Sequence, residues 1–135
     1  MTTPVKDLKG TTDAMLAKFK ELAIADNEKL LHAAATPAQR KELAAACGST
    51  PADILAVANR ADLARVKGIA GVYSDLLEHA GVDTVKELAK RRPDHLLEKL
   101  TETNDAAKLT QRPPTAAMVE DWVTQAKALP AMLTY

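Results

Sequence analysis

VKGIAGVYSDLLEHAGVDTVKELAK, residues 66–90, sets a lysine and two glycines in a six-residue turn and then runs straight into an amphipathic helical pattern. Apolar residues recur there at spacings of three and four, the signature of a helix with one buried face. Gly81 falls just past the first such run, where a chain leaves a helix through a positive backbone dihedral. Thr84, followed three residues later by Glu87, marks the next helix start, because a threonine hydroxyl accepts from the free N–H groups of the first turn. The stretch therefore reads as turn, helix, corner, helix. The turn itself has two readings: a cradle for a phosphate, or a tight corner that packing alone requires.

The same punctuation extends outward in both directions. Thr36 with Pro37 and Gln39, and Thr50 with Pro51 and Asp53, are further capped starts, while Gly48 is a further stop. No stretch alternates Val, Ile, Thr and aromatic residues at period two, so strands are not expected. The pattern predicts helices over 12–22, 27–35, 37–46, 51–63, 71–80, 85–91, 93–107 and, after the Pro113-Pro114 break, 116–128. Short connections imply that sequential helices pack on one another. The fold class is all-α, a compact helical bundle, and 135 residues are the usual size of one domain, here 1–135.

An internal repeat organises the chain. Shifting it by 58 residues lays LKGTTDAMLAKFKELAIADNEKLL, from Leu8, on VKGIAGVYSDLLEHAGVDTVKELA, from Val66. Lys9 then meets Lys67, Gly10 meets Gly68, Phe19 meets Leu77, Ile24 meets Val82, Asp26 meets the capping Thr84, and Leu30 meets Leu88. Two copies of one supersecondary unit should share these apolar positions, the turn and the cap.

An apolar residue, any residue, glycine, a short turn and a helix, then AGVDTVKEL and a second helix, resembles the helix-hairpin-helix motif. The wider NRADLARVKGIAGVYSDLLEHAGVDTVKELAKRRPDHLLEKL is similar to the bacterial family DUF4332, and the later QRPPTAAMVEDWVTQAKALP and the terminal LTY fit it as well. The resemblance implies a bundle with paired helix-hairpin-helix-like units, the first at 8–31 and the second at 66–90, with a packing helix at 115–129. It implies no biochemical role.

In nucleic-acid-binding members of the broader helix-hairpin-helix class, backbone N–H groups of the turn and of the following helix point at a phosphate and read no base. In residues 66–90 that turn is Gly68, Ile69, Ala70 and Gly71, with Lys67 beside it and Arg65, Lys86, Lys90, Arg91 and Arg92 as candidate basic contacts. Residues 60–92 carry seven cations against five anions, and residues 93–135 four against six, a modest polarity in a chain whose 18 basic and 18 acidic residues cancel. Ala70 occupies the place of the second glycine, which is strained if a positive dihedral is needed there. The first copy reads Gly10, Thr11, Thr12, Asp13, which sets a carboxylate where a phosphate would approach and suits a structural turn. The run Lys90, Arg91, Arg92 also fits a helix C-terminus, where cations complement the dipole.

Catalytic patterns are absent from the sequence. His32, His79 and His95 are scattered without metal-ligand spacing, and no phosphate loop, nucleophile elbow or dinucleotide fingerprint occurs, so no enzyme activity, metal, cofactor or small-molecule substrate is expected. The lone Cys47, beside Gly48, reads as a packed thiol. The opening MTTPVKDLKG lacks the apolar core of a secretory signal, and no run approaches the ~20 apolar residues of a membrane span, so a cytoplasmic location and no membrane partner are expected. Met118, Val119, Trp122, Val123, Ala126 and Leu129 form one apolar stripe, continued by the tail LPAMLTY. The stripe packs against residues 66–90 with Trp122 as a core anchor, or leaves Met118, Trp122 and Leu129 for a protein partner or a second copy. Two functions follow: a non-enzymatic module for protein binding or scaffolding, or one that binds nucleic-acid backbone independently of sequence through the second hairpin.

Overall fold

Threonine starts most of the helices. In the computed structural model, which describes residues 2–69 and 71–135, eight α-helices follow a short 3-10 turn at Val5–Asp7. They are α1 (Asp13–Glu21), α2 (Asn27–Ala33), α3 (Pro37–Cys47), α4 (Pro51–Leu63), α5 (Val72–His79), α6 (Val85–Ala89), α7 (Pro93–Ala107) and α8 (Ala116–Ala128). Thr12, Thr36, Thr50, Thr84 and Thr115 each accept from a backbone N–H three residues on, and Asp26 does the same for α2. At α3 the bond is reciprocal, since the Thr36 N–H donates to Gln39 Oε1 at 3.1 Å. No strand occurs among the described residues; a single antiparallel bridge joins Pro4 and Asp26. The fold is all-α.

Where one domain is expected over 1–135, the helices group into two compact units, Met1–Arg65 with Ala131–Tyr135, and Val66–Pro130. In the first, α4 packs on α2 and α3, and α1 on α3. Phe19, Leu30, Leu31, Ile54 and Val57 are fully buried there, with Ala58 and Ala61 as small residues that allow α4 a close approach. Asn27 is buried among them, and its amide is satisfied: Oδ1 accepts from the Thr3 N–H at 2.8 Å, and Nδ2 donates to the Ala61 carbonyl at 3.2 Å. In the second unit α8 packs on α6 and α7, and α5 on α7. Leu76, Leu77, Leu88, Leu96, Leu100 and Trp122 fill that core. Each unit thus places its fourth helix on its second and third, and its first on its third.

Residues 58 apart also share backbone geometry. Gly10 and Gly68 have φ of 95° and 94°. After α1 the Ile24 N–H donates to the Phe19 carbonyl at 2.8 Å, and after α5 the Val82 N–H donates to the Leu77 carbonyl at 2.8 Å. The residue between helix and donor has positive φ in both, Ala23 at 60° and Gly81 at 91°. Each is the 6→1 bond of a Schellman stop, whose second bond runs from the Ala23 N–H to the Lys20 carbonyl at 3.2 Å after α1 and from the Gly81 N–H to the Glu78 carbonyl at 3.0 Å after α5.

The tail departs from the expectation that it continues the α8 stripe. Leu133 is buried in the core of the first unit, the Thr134 N–H donates to the Ala35 carbonyl at 2.8 Å, and Arg40 Nη2 donates to the Thr134 carbonyl at 2.6 Å. Pro130 ends the helical register, and the five residues beyond it are extended enough to lie along the start of α3.

Candidate nucleic-acid interface

The turn before α5 is fixed from α8. Gln125 spans Lys67 with both amide atoms, Oε1 accepting from the Lys67 N–H at 2.8 Å and Nε2 donating to the Lys67 carbonyl at 3.1 Å. Trp122, three residues earlier and so on the same face of α8, lies against Gly68. A Cβ at Gly68 would sit 3.0 Å from Trp122 Nε1, and φ of 94° disfavours any side chain there. The Trp122 ring meets Tyr73 with centroids 5.4 Å apart, and the Tyr73 hydroxyl donates to the Arg112 carbonyl at 2.9 Å. Nothing in the pattern of the sequence announces the Gln125 clamp, because glutamine on a helix face ordinarily points to water.

The candidate residues separate into distinct places. Lys67, Gly68 and Gly71 are exposed along the turn, whereas Ile69 is buried and serves the core. Ala70, the candidate in the place of a second glycine, lies outside the described residues. Gly71 is the N-cap of α5 with φ 52° and ψ −113°, and no side chain caps that helix. Arg65 belongs to the first unit, where it forms a largely buried ion pair with Asp62 at 3.2 Å. Lys86 on α6 and Lys90 at its C-cap are exposed. Arg91 donates to the Gly81 carbonyl and to Glu87 Oε1, each at 3.3 Å. Gly81 follows the C-terminal end of α5, while the Lys67 turn precedes its N-terminus, an axial separation of about 12 Å for eight residues at helical rise. Arg92 is exposed and pairs with Asp94 at 3.1 Å.

The first copy of the turn is closed. Thr11 Oγ1 donates to the Leu8 carbonyl at 3.0 Å, Thr12 caps α1 by accepting from the Met15 N–H, and Asp13 is the first helical residue. Helix α7 also lacks a side-chain cap, but there Pro93 removes one N–H and Asp94 lies in the first turn. The His95 N–H, the largest cause, and the Arg92 charge hold the Asp94 carboxyl below its usual range, so that terminus already carries its anion.

Of the stripe on α8, Trp122 is buried and Met118 and Leu129 are half-buried. The exposed large apolar side chains among the described residues are Leu22, Val72 and Tyr135. His32, His79 and His95 are all exposed. Burial pushes the Cys47 thiol up, offset in part by the Lys18 charge, which suits a packed thiol rather than a nucleophile. No described helix is long and apolar enough to cross a membrane.

Eight helices grouped into two compact units, with no strand among the described residues, define an all-helical protein. The chain belongs to DUF4332, a domain family of unknown function whose model matches residues 9–129. No curated protein and no solved structure matches it.

Proposed function

We propose that the protein is a non-enzymatic interaction module whose second unit takes nucleic-acid backbone, independently of sequence, at a helix-hairpin-helix-like turn before α5. The observation that carries this reading is the contrast between the copies: α1 is capped by Thr12, whereas α5 opens at Gly71 without a side-chain cap. Helix N-termini concentrate partial positive charge and free N–H donors, which favour a phosphate. The exposed Lys67 adjoins the turn. With two or three phosphate contacts, affinity for a duplex should fall about tenfold to fortyfold between roughly 50 and 200 mM salt. Fluorescence anisotropy of a labelled duplex at those two concentrations tests this, with Lys67→Glu expected to weaken binding. Absence of binding to duplex and single strands at the lower salt sinks the reading.

One observation favours a protein partner instead. Residues 66–130 carry nine basic and ten acidic side chains, so the second unit has no net field that draws in a polyanion. On that reading the module scaffolds a protein or a second copy of itself. Sedimentation velocity across a hundredfold range of concentration distinguishes self-association from a monomer, and a duplex titration on the same sample separates the two functions.

A further inference from the structure

Arg40 is 4% exposed, and its guanidinium donates to two backbone carbonyls, that of Ala34 at 2.9 Å and that of Thr134 at 2.6 Å. A buried guanidinium that loses an acceptor keeps its desolvation cost, so the first unit is built to have its groove filled. The other fittings of that groove are for the same segment. Leu133 is buried, and the Ala35 carbonyl accepts from the Thr134 N–H at 2.8 Å and from Thr134 Oγ1 at 3.3 Å. The Tyr135 ring lies 5.8 Å from the guanidinium, and its hydroxyl donates to Asn59 Oδ1 at 3.5 Å. All these contacts are carried by residues 133–135, so three residues transfer the whole set at once. The segment hangs on a stiff connection: Leu129 is extended, at φ −85° and ψ 134°, as a residue before proline prefers, and Pro130 fixes the next φ.

We infer that this groove is an exchange site, which in a dimer takes residues 131–135 of a second copy in place of the chain's own. The inference deepens the protein-partner reading, in its self-association form, and is independent of the phosphate reading. A second copy is the occupant because the groove asks for a buried leucine, an N–H for Ala35, a carbonyl for Arg40 and an aromatic ring, in that order along an extended strand, and the chain itself supplies that sequence. The contacts made within one chain and between two chains are identical, so the choice between them turns on concentration and on the connection alone. Two copies that trade segments close a two-fold dimer and leave no groove empty.

The wild-type chain should be monomeric at micromolar concentration and dimerise as it approaches about 1 mM, the range of effective concentration that a short linker gives, as read by sedimentation equilibrium. In an equimolar mixture of isotope-labelled and unlabelled chains, isotope-filtered nuclear Overhauser effects should then run from the Leu133 methyl groups of one copy to the first unit of the other. Two full-length variants separate segment from groove. Thr134→Pro removes the N–H that bonds Ala35, and Arg40→Met removes the guanidinium while keeping an apolar stem. Each alone should stay monomeric, and mixing them should give a one-to-one heterodimer roughly tenfold or more tighter than the wild-type dimer, because no intact segment competes within the chain whose groove is intact. No heterodimer from two variants that keep their helical circular dichroism overturns the exchange; should either lose it, the wild-type measurements decide alone. A wild-type chain monomeric to about 1 mM overturns the exchange and self-association together. A wild-type dimer without those effects between copies overturns the exchange and leaves self-association through another surface.

Discussion

Ala23 and Arg40 show how far single positions depart from what their residue types suggest. Ala23 follows α1 with φ 60°, where its counterpart in the second unit is Gly81. A side chain in the left-handed region costs roughly 1 kcal/mol, so Ala23→Gly should stabilise the first unit by about 0.5–1 kcal/mol, less the extra freedom glycine gains in the unfolded chain. Thermal unfolding by circular dichroism should register a midpoint higher by about 2–4 °C, and a lower midpoint would show that this stop is not strained. Arg40 is 4% exposed, far from the solvated role that a charged residue on a helix suggests. Its guanidinium donates to the Ala34 carbonyl at 2.9 Å and the Thr134 carbonyl at 2.6 Å, and lies 5.8 Å from the Tyr135 ring centroid. Arg40→Leu keeps the apolar stem but strips two charge-assisted bonds, and should cost about 2–4 kcal/mol in urea unfolding. Arg40→Lys should recover only part of this, since an ammonium cannot present the planar fork that serves both carbonyls. Equal stability for Arg40→Lys and wild type would refute that account.

The helices were largely legible because their signals are local. A cap and the residues it satisfies lie within one turn, so Thr36, Thr50 and Thr84 announce α3, α4 and α6 from the sequence alone. The glycine at the turn and the helix stops were legible for the same reason, since Gly10, Gly68 and Gly81 sit where the local backbone takes a positive φ. What stayed hidden joins residues far apart: Asn27 bridging Thr3 and Ala61, Gln125 clamping Lys67, and Arg91 tied to the far end of α5 from the turn it was grouped with. The five-residue α6 depends on its cap most of all. Helices this short do not persist without a cap and tertiary packing. Thr84 accepts from the Glu87 N–H at 3.1 Å, while Val85 and Leu88 are buried beneath. Thr84→Ala should cost about 1 kcal/mol and selectively raise amide exchange at Leu88 and Ala89, with Thr84→Ser close to wild type. Exchange that rises equally in α8 would show that α6 does not open by itself.

At the scale of the whole molecule, the chain completes its first unit with its last residues. Residues 131–135 belong with Met1–Arg65, although the whole of the second unit intervenes in sequence. Leu133 enters the first unit's core beside Met132, the Thr134 N–H bonds the Ala35 carbonyl, and Arg40 bonds the Thr134 carbonyl. Ending the chain at Pro130 removes a buried leucine and the hydrogen bonds of Thr134 and Tyr135, among them the one by which the Thr134 carbonyl accepts from the buried Arg40. Burial of the leucine alone is worth about 1.5–3 kcal/mol and the lost bonds about 1–3 more, so the first unit should lose roughly 3–5 kcal/mol. Cys47 reports on that unit specifically, because it is buried there and is the only thiol of the chain. Its reaction with a thiol reagent requires opening, so truncation should accelerate labelling by about two to three and a half orders of magnitude at a fixed pH. The pH must be fixed because burial holds the thiol above its ordinary range, and the rate also follows the thiolate population. Amide exchange in α8 measured on the same truncated chain supplies the internal reference: slow exchange there with fast Cys47 labelling localises the loss to the first unit. Unchanged labelling of Cys47 would mean that the tail rests on the first unit without supporting it.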